Sequence, residues 1–215
     1  MQTDRKEALR YLGLGKHEPD PETERLLEEC IREAESAADF RHLIREYPLI
    51  MEDDGTINGG CFRVKSENLR KNLAGCDSVL VMAVTVGAQV DRLLARYGKL
   101  SVAKAVVMQA AAMVEAYCNE LNAGWKKEYL EKGLYLRPRF SPGYGDFPLS
   151  AQKEILDGLE AGKRIGITLT EGYLMMPSKS VTAGGIGVSR TPAACTIEGC
   201  EACGKKDCAF RRCQD

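Results

Sequence analysis

Val79-Leu80-Val81-Met82-Ala83-Val84 is the strongest strand signal in the chain. Six consecutive apolar residues, closed by Thr85 and Gly87, suit a strand buried on both faces rather than one alternating between core and water. Such a strand needs layers on either side, and the flanking sequence supplies helices. Ala88 to Tyr97 reads as one helix, and the strand–Thr85–Val86–Gly87–helix junction reads as a plain strand-to-helix turn. Ser101 to about Leu130 reads as a second, much longer helix. Between Lys104 and Glu115 its only polar side chain is Gln109, so its middle is expected to lie buried near the centre of the fold.

Upstream, Asp20 caps and Pro21 begins a helix through about Ala38, with Glu22 and Glu24 at its positive end. Leu26, Leu27, Cys30, Ile31 and Ala34 give it an apolar stripe. Together with a short helix from Asp4 to Leu12, stopped at Gly13-Leu14-Gly15, it is expected to form a peripheral arm lying on the core. Phe40 to Ile50 turns extended, Asp53-Asp54-Gly55 is a turn signal, and Thr56 to Phe62 reads as a return strand. Ser66 caps a helix to about Leu73, with Gly75 past its end. Downstream, Ser150 caps a helix through about Leu159, closed near Gly162. Ile165–Leu169 and Tyr173–Pro177 read as short strands. Val181 to Val188 reads as a further strand whose glycines leave one face bare for a ligand or a helix. The expected fold is α+β: a twisted, largely antiparallel sheet with a buried long helix and peripheral helices. Three segments follow: a helical arm over 1–38, a main domain over 39–190 and a cysteine-rich tail over 191–215.

The chain has 215 residues, 44% hydrophobic and 28% charged, which is ordinary for a globular protein. Lys+Arg is 30 and Asp+Glu is 31, so neither nucleic acid nor an acidic tail is indicated. The charged start, Met1 to Glu7, lacks a signal-peptide apolar core, and no apolar run approaches a membrane span. The expectation is a cytoplasmic protein, in which nine cysteines point away from structural disulfides.

One segment is neither helix nor regular strand: Arg137-Pro138-Arg139-Phe140-Ser141-Pro142-Gly143-Tyr144-Gly145-Asp146-Phe147-Pro148. Three prolines and two glycines make it an extended, preset loop. It carries two guanidinium groups, two glycine amides, a tyrosine and two phenylalanines. That mixture suits a small zwitterionic or anionic ligand, since arginine grips a carboxylate and an aromatic ring can face a cation. The same residues also fit a rigid surface connection with solvated arginines. Glu115, the first charge after the apolar stretch of the long helix, has two readings as well. Either the helix leaves the core there, or a partly buried carboxylate faces the loop.

Three segments together resemble the activation domain of cobalamin-dependent methionine synthase. Arg139-Phe140-Ser141-Pro142-Gly143-Tyr144 is similar to that family's Arg-Pro-x-Pro-Gly-Tyr loop, which holds S-adenosylmethionine (AdoMet). Leu169-Thr170-Glu171-Gly172-Tyr173, through Met176-Pro177 to Ser180-Val181-Thr182-Ala183, is similar to its Leu-Thr-Glu-Ser and Ser-Val-Ser-Gly segments. Val114-Glu115-Ala116-Tyr117 is similar to its helical Ala-Glu-Ala-Phe. The resemblance spans about Val79 to Val188. It implies that Arg139 takes the AdoMet carboxylate, that Ser141 and Gly143 offer backbone groups, that Tyr144 lines the pocket, and that Glu115 faces the positive part of the ligand. The implied activity is reductive reactivation: an oxidised corrinoid takes one electron and attacks the AdoMet methyl, while the protein supplies positioning and no general base. The partners implied are a separate corrinoid-binding methionine synthase subunit or corrinoid protein and an electron donor. If the chain is an enzyme, it is a transferase, the reactivation component of that system. The family's paired tyrosines have no counterpart here, where the chain runs Ser189-Arg190-Thr191-Pro192. His17 and His42 are expected in surface or structural roles. One rival is a corrinoid-protein chaperone or electron-transfer module that uses the tail and binds no AdoMet. Another is an AdoMet methyltransferase acting on something other than a corrinoid.

The tail holds Cys195, Cys200, Cys203, Cys208 and Cys213, with Gly199 and Gly204 interleaved. Thiols so crowded read as a metal site, zinc or an iron–sulfur cluster, although the spacing matches neither standard ferredoxin pattern. The resemblance does not extend to this tail.

Overall fold

The computed structural model describes residue 9 and residues 18–97 and 102–192; of Tyr97 and residues 102–112 it describes the backbone alone. Apart from Leu9, the expected first helix lies outside the described residues, as do His17, the five tail cysteines and the side chains of the apolar stretch before Met113.

The run 79–84 becomes the centre of the molecule. It lies in strand β5 (Ser78–Thr85), the second strand of a four-stranded antiparallel sheet. The sheet order is β1 (Arg41–Pro48), β5, β9 (Ser180–Ser189), β6 (Tyr135–Leu136). Alternation along β5 explains why the run has no polar face. Leu80, Met82 and Val84 point into one core, and Val79, Val81 and Ala83 into another.

The first layer holds α1 (Pro21–Ala37), α3 (Ala88–Tyr97) and α4 (Val102–Glu131). Asp20 caps α1 by accepting from the Glu22 and Thr23 amides at 3.1 and 3.0 Å. This helix is more than an arm laid on the surface. Cys30 and Ala34 are part of the same buried cluster as Leu80, Met82 and Val84. From α4, Met113, Val114 and Cys118 enter that cluster, and Tyr117, Leu121, Trp125 and Tyr129 pack against it.

The second layer is built from smaller pieces: α2 (Glu67–Asn72), α5 (Ala151–Gly158) and α6 (Ala161–Ile165). A three-stranded sheet of β2 (Ile50–Met51), β3 (Thr56–Asn58) and β4 (Arg63–Lys65) adjoins it. Of the expected return strand over 56–62 only Thr56–Asn58 is strand; the backbone turns through Gly59–Phe62 and comes back as β4, paired antiparallel to β3. Ser150 makes no capping bond to α5. After α5, Glu160 takes a left-handed conformation (φ 53°) and α6 follows. Ile165 ends that helix rather than starting a strand. Only Thr168–Leu169 (β7) is extended, and it pairs with Met175–Met176 (β8).

Strand β9 carries a bulge. Leu80 pairs with Ile186 and Met82 with Ala183, leaving Gly184 and Gly185 opposite Val81. A Cβ on Gly184 would lie 3.0 Å from Phe147 Cζ, one on Gly185 2.5 Å from Leu69 Cδ1, and one on Gly187 3.1 Å from Arg137 Cγ. The bare face expected here is thus covered by α2 and by the proline-rich loop itself.

Candidate functional site

The loop after β6 is fastened to β9 at its root. Arg137 N–H donates to Gly187 O at 2.8 Å, which extends the β6–β9 pairing by one step. The Asn72 side-chain amide donates to Pro138 O and to Gly185 O, both at 3.0 Å, and so ties loop, helix and strand together. The tip is fastened independently. The Asp146 carboxylate accepts from Ser66 Oγ (2.5 Å), Glu67 N (2.7 Å) and Asn68 N (3.1 Å), capping α2 from outside that helix. These bonds hold the Asp146 carboxyl below its ordinary range, the Ser66 hydroxyl contributing most. Phe147 is 1% exposed and stacks on Phe140 at 6.3 Å, and Phe140 meets Tyr144 edge-on at 6.1 Å.

Fixing both ends of the loop places Arg139. The guanidinium reaches across to α4, and Nη2 donates to Glu115 Oε2 at 2.5 Å. The two side chains are 16% and 28% exposed, so the pair is sheltered but not sealed. Desolvation works against the Arg139 charge; Glu115 offsets it and holds the guanidinium above its ordinary range. Cys118, one turn along α4, is fully buried, and burial pushes its thiol up to about 12, with the Glu115 carboxylate adding to the effect. Tyr144 is 54% exposed, yet desolvation and then Glu115 push its phenol up.

Glu115 and Arg139 thus meet directly, and Tyr144 stands near enough for both charges to act on its phenol. Ser141 is buried, and its carbonyl accepts from Tyr144 N at 3.1 Å. Gly143 takes φ 89°, a left-handed conformation that favours glycine. Its amide is not free, because it donates to Phe147 O at 2.8 Å; the carbonyl is the group left to offer. Arg137, the other guanidinium of the loop, points away to Ser189 Oγ (3.3 Å) and Ala74 O (3.5 Å). His42 stands apart as well, its Nδ1 2.7 Å from Tyr117 OH. Sequence reasoning missed three residues. Cys118 had a signal, since it lies one helical turn beyond Glu115. Asn72 and Asp146 had none in their own neighbourhoods, because what they bind is far away in sequence.

A paired carboxylate and guanidinium thus lie beside the aromatic loop that follows the sheet's edge strand. The chain matches the family model for the vitamin B12-dependent methionine synthase activation domain over residues 69–193. It belongs to that family. Among solved structures it is similar to the MetH reactivation domain bound to AdoHcy, with a TM-score of 0.58 and 20% sequence identity, covering 80% of this chain and 70% of that one. That likeness agrees with the α+β fold. No curated protein matches the chain. Among the described residues no helix is long and apolar enough to cross a membrane.

Proposed function

We propose that the chain binds AdoMet between α4 and the loop 137–148, and that it supports reductive methylation of cobalamin carried by a separate methionine synthase or other corrinoid protein. The observation that carries this reading is the Arg139–Glu115 pair at 2.5 Å. AdoMet bears a carboxylate, an ammonium and a sulfonium. It needs one cationic clamp and one anionic partner, and the pair presents both. On this reading the carboxylate of the ligand takes donors of Arg139, and Glu115 faces the positive groups. Tyr144 covers the pocket, and the Gly143 carbonyl offers an acceptor. The family name and the AdoHcy bound by the similar solved structure support the choice of ligand.

The reaction is methyl transfer to a reduced corrinoid, for which the chain needs no general base. Its part is to hold the methyl group in line and to keep water out, a contribution of positioning. A loop fixed at root and tip by Asn72 and Asp146 suits that task. The test mixes the chain with a corrinoid protein lacking its own activation domain, a one-electron reductant and AdoMet, and follows methylcobalamin by absorbance. Accumulation with wild type and its loss with Arg139→Ala is the expected result. No methylcobalamin with wild type, while AdoMet still binds, would move the reading to a methyltransferase for another acceptor. No AdoMet binding, with the corrinoid protein still bound, would favour the chaperone.

A further inference from the structure

A recess in the first layer has a lining of one charge sign. It lies between the end of α1 and one face of α3, has a volume of about 270 Å3, and is bounded by Ser36, Ala37, Gln89, Arg92, Leu93 and Arg96. None of these residues belongs to α4 or to the loop 137–148. Leu93 is buried and joins the first-layer core, so the floor is apolar. The walls carry two guanidinium groups, a hydroxyl and an amide, and no carboxylate. Arg92 and Arg96 are four residues apart in α3, on the same face one turn apart, where like charges repel.

The two arginines are also unpaired. Among the described residues Arg41, Arg63, Arg70, Arg139 and Arg190 each have a carboxylate partner; Arg92 and Arg96 have none. Arg92 Nη1 reaches Gln89 Oε1 on its own helix at 3.5 Å, longer than an ordinary hydrogen bond. Asp91, the one acidic residue of α3, is engaged elsewhere. Its Oδ2 accepts from Ser178 N at 2.7 Å and its Oδ1 from Ser178 Oγ at 2.6 Å. Two unpaired guanidiniums over an apolar floor attract an anion. The fork of each fits the oxygens of an oxyanion, and the low dielectric of the floor strengthens the attraction. A phosphate monoester or diphosphate puts about two negative charges on one small group, which matches two cations better than a single carboxylate does. The volume lies below the range of about 300–1,000 Å3 common for drug-sized ligands, so the recess suits one or two phosphoryl groups rather than a whole nucleoside.

We propose that this recess is a second ligand site, in which Arg92 and Arg96 bind a phosphate monoester or diphosphate group, with Ser36 Oγ and the Gln89 side-chain amide as further donors. The test titrates pyrophosphate, and separately inorganic phosphate, into the full chain in chloride buffer and follows the heat. The expected result is saturable binding of pyrophosphate that weakens with added salt, with the Kd raised at least tenfold in Arg92→Gln/Arg96→Gln. Lys163→Gln/Arg164→Gln, which removes the same charge from α6 in the second layer, should bind as wild type does. A thermal melt of each variant shows that it is folded; if the double variant is not, Arg92→Gln and Arg96→Gln are titrated singly, and each should still weaken binding. Titrating AdoMet into the same variants reports separately on the loop site, so either reading can fail while the other stands. Three results would overturn the proposal: no saturable heat with either anion, binding undiminished without the two arginines, or an equal loss in the α6 variant. The first is what would be seen if the arginines serve only to face the carbonyl end of α1, whose last turn has no basic residue.

Discussion

Asp146 shows how far one side chain sets the site. It sits at the tip of the loop 137–148, yet its three acceptor bonds go to the start of α2. Removing the carboxylate leaves the Glu67 and Asn68 amides without this partner and frees the loop tip from its anchor. Asp146→Ala should lower the melting temperature and weaken AdoMet binding together, whereas Asp146→Asn should do less of both. The pH dependence has a definite sign. The carboxyl is held below its ordinary value of 3.8 in the folded state, so its contribution is present above that value and is lost as pH falls through the lowered one. The acid limb of the wild-type melting profile should therefore be steeper than that of Asp146→Ala. If the two profiles are parallel, the cap contributes nothing. Pattern alone left the loop arginines and Glu115 with two readings each, and the resemblance to the activation domain is what singled out Arg139 and Glu115. Asp146 and Asn72 were not legible, because a cap and a side-chain tie depend on residues dozens of positions away.

At the scale of elements, β9 decides how closely the loop can lie against the sheet. Gly185 has its backbone beside Leu69, Phe140 and Asn72, and a methyl group there would meet Leu69 Cδ1 at 2.5 Å and Phe140 Cβ at 3.1 Å. Gly185→Ala should destabilise by about 1–3 kcal/mol through overpacking and push the loop outward, raising the Kd for AdoMet. Unfolding in denaturant and calorimetry on the same sample check the two effects. Stability lost with affinity unchanged would mean that the loop is held by something other than β9. The long elements were readable from pattern alone. Asp20 with Pro21 marked the start of α1, and the run 79–84 marked β5. The second layer was harder to read. Ser66 and Ser150 marked the starts of α2 and α5, but α6 has five residues, too few for periodicity to separate it from strand, and so Ile165 was expected in a strand while it ends α6. The bare face of β9 was visible as a glycine pattern, but whether a ligand or the chain itself would cover it was not.

At the scale of the molecule, the sheet separates two cores, and the candidate site lies where they meet. Glu115 comes from α4 in the first layer, and Arg139 from the loop that packs on the second. Neither layer alone forms the site, so the ligand should stabilise the whole domain rather than one half of it. The most direct measurement is a calorimetric titration of AdoMet into wild type and into Arg139→Ala, with the thermal transition of each recorded to show that both are folded. The account predicts a saturable heat for wild type and a Kd raised about 10- to 150-fold in the variant, the size of one lost charge-assisted interaction. A folded wild type with no heat of binding, or a variant that binds as tightly, would contradict it.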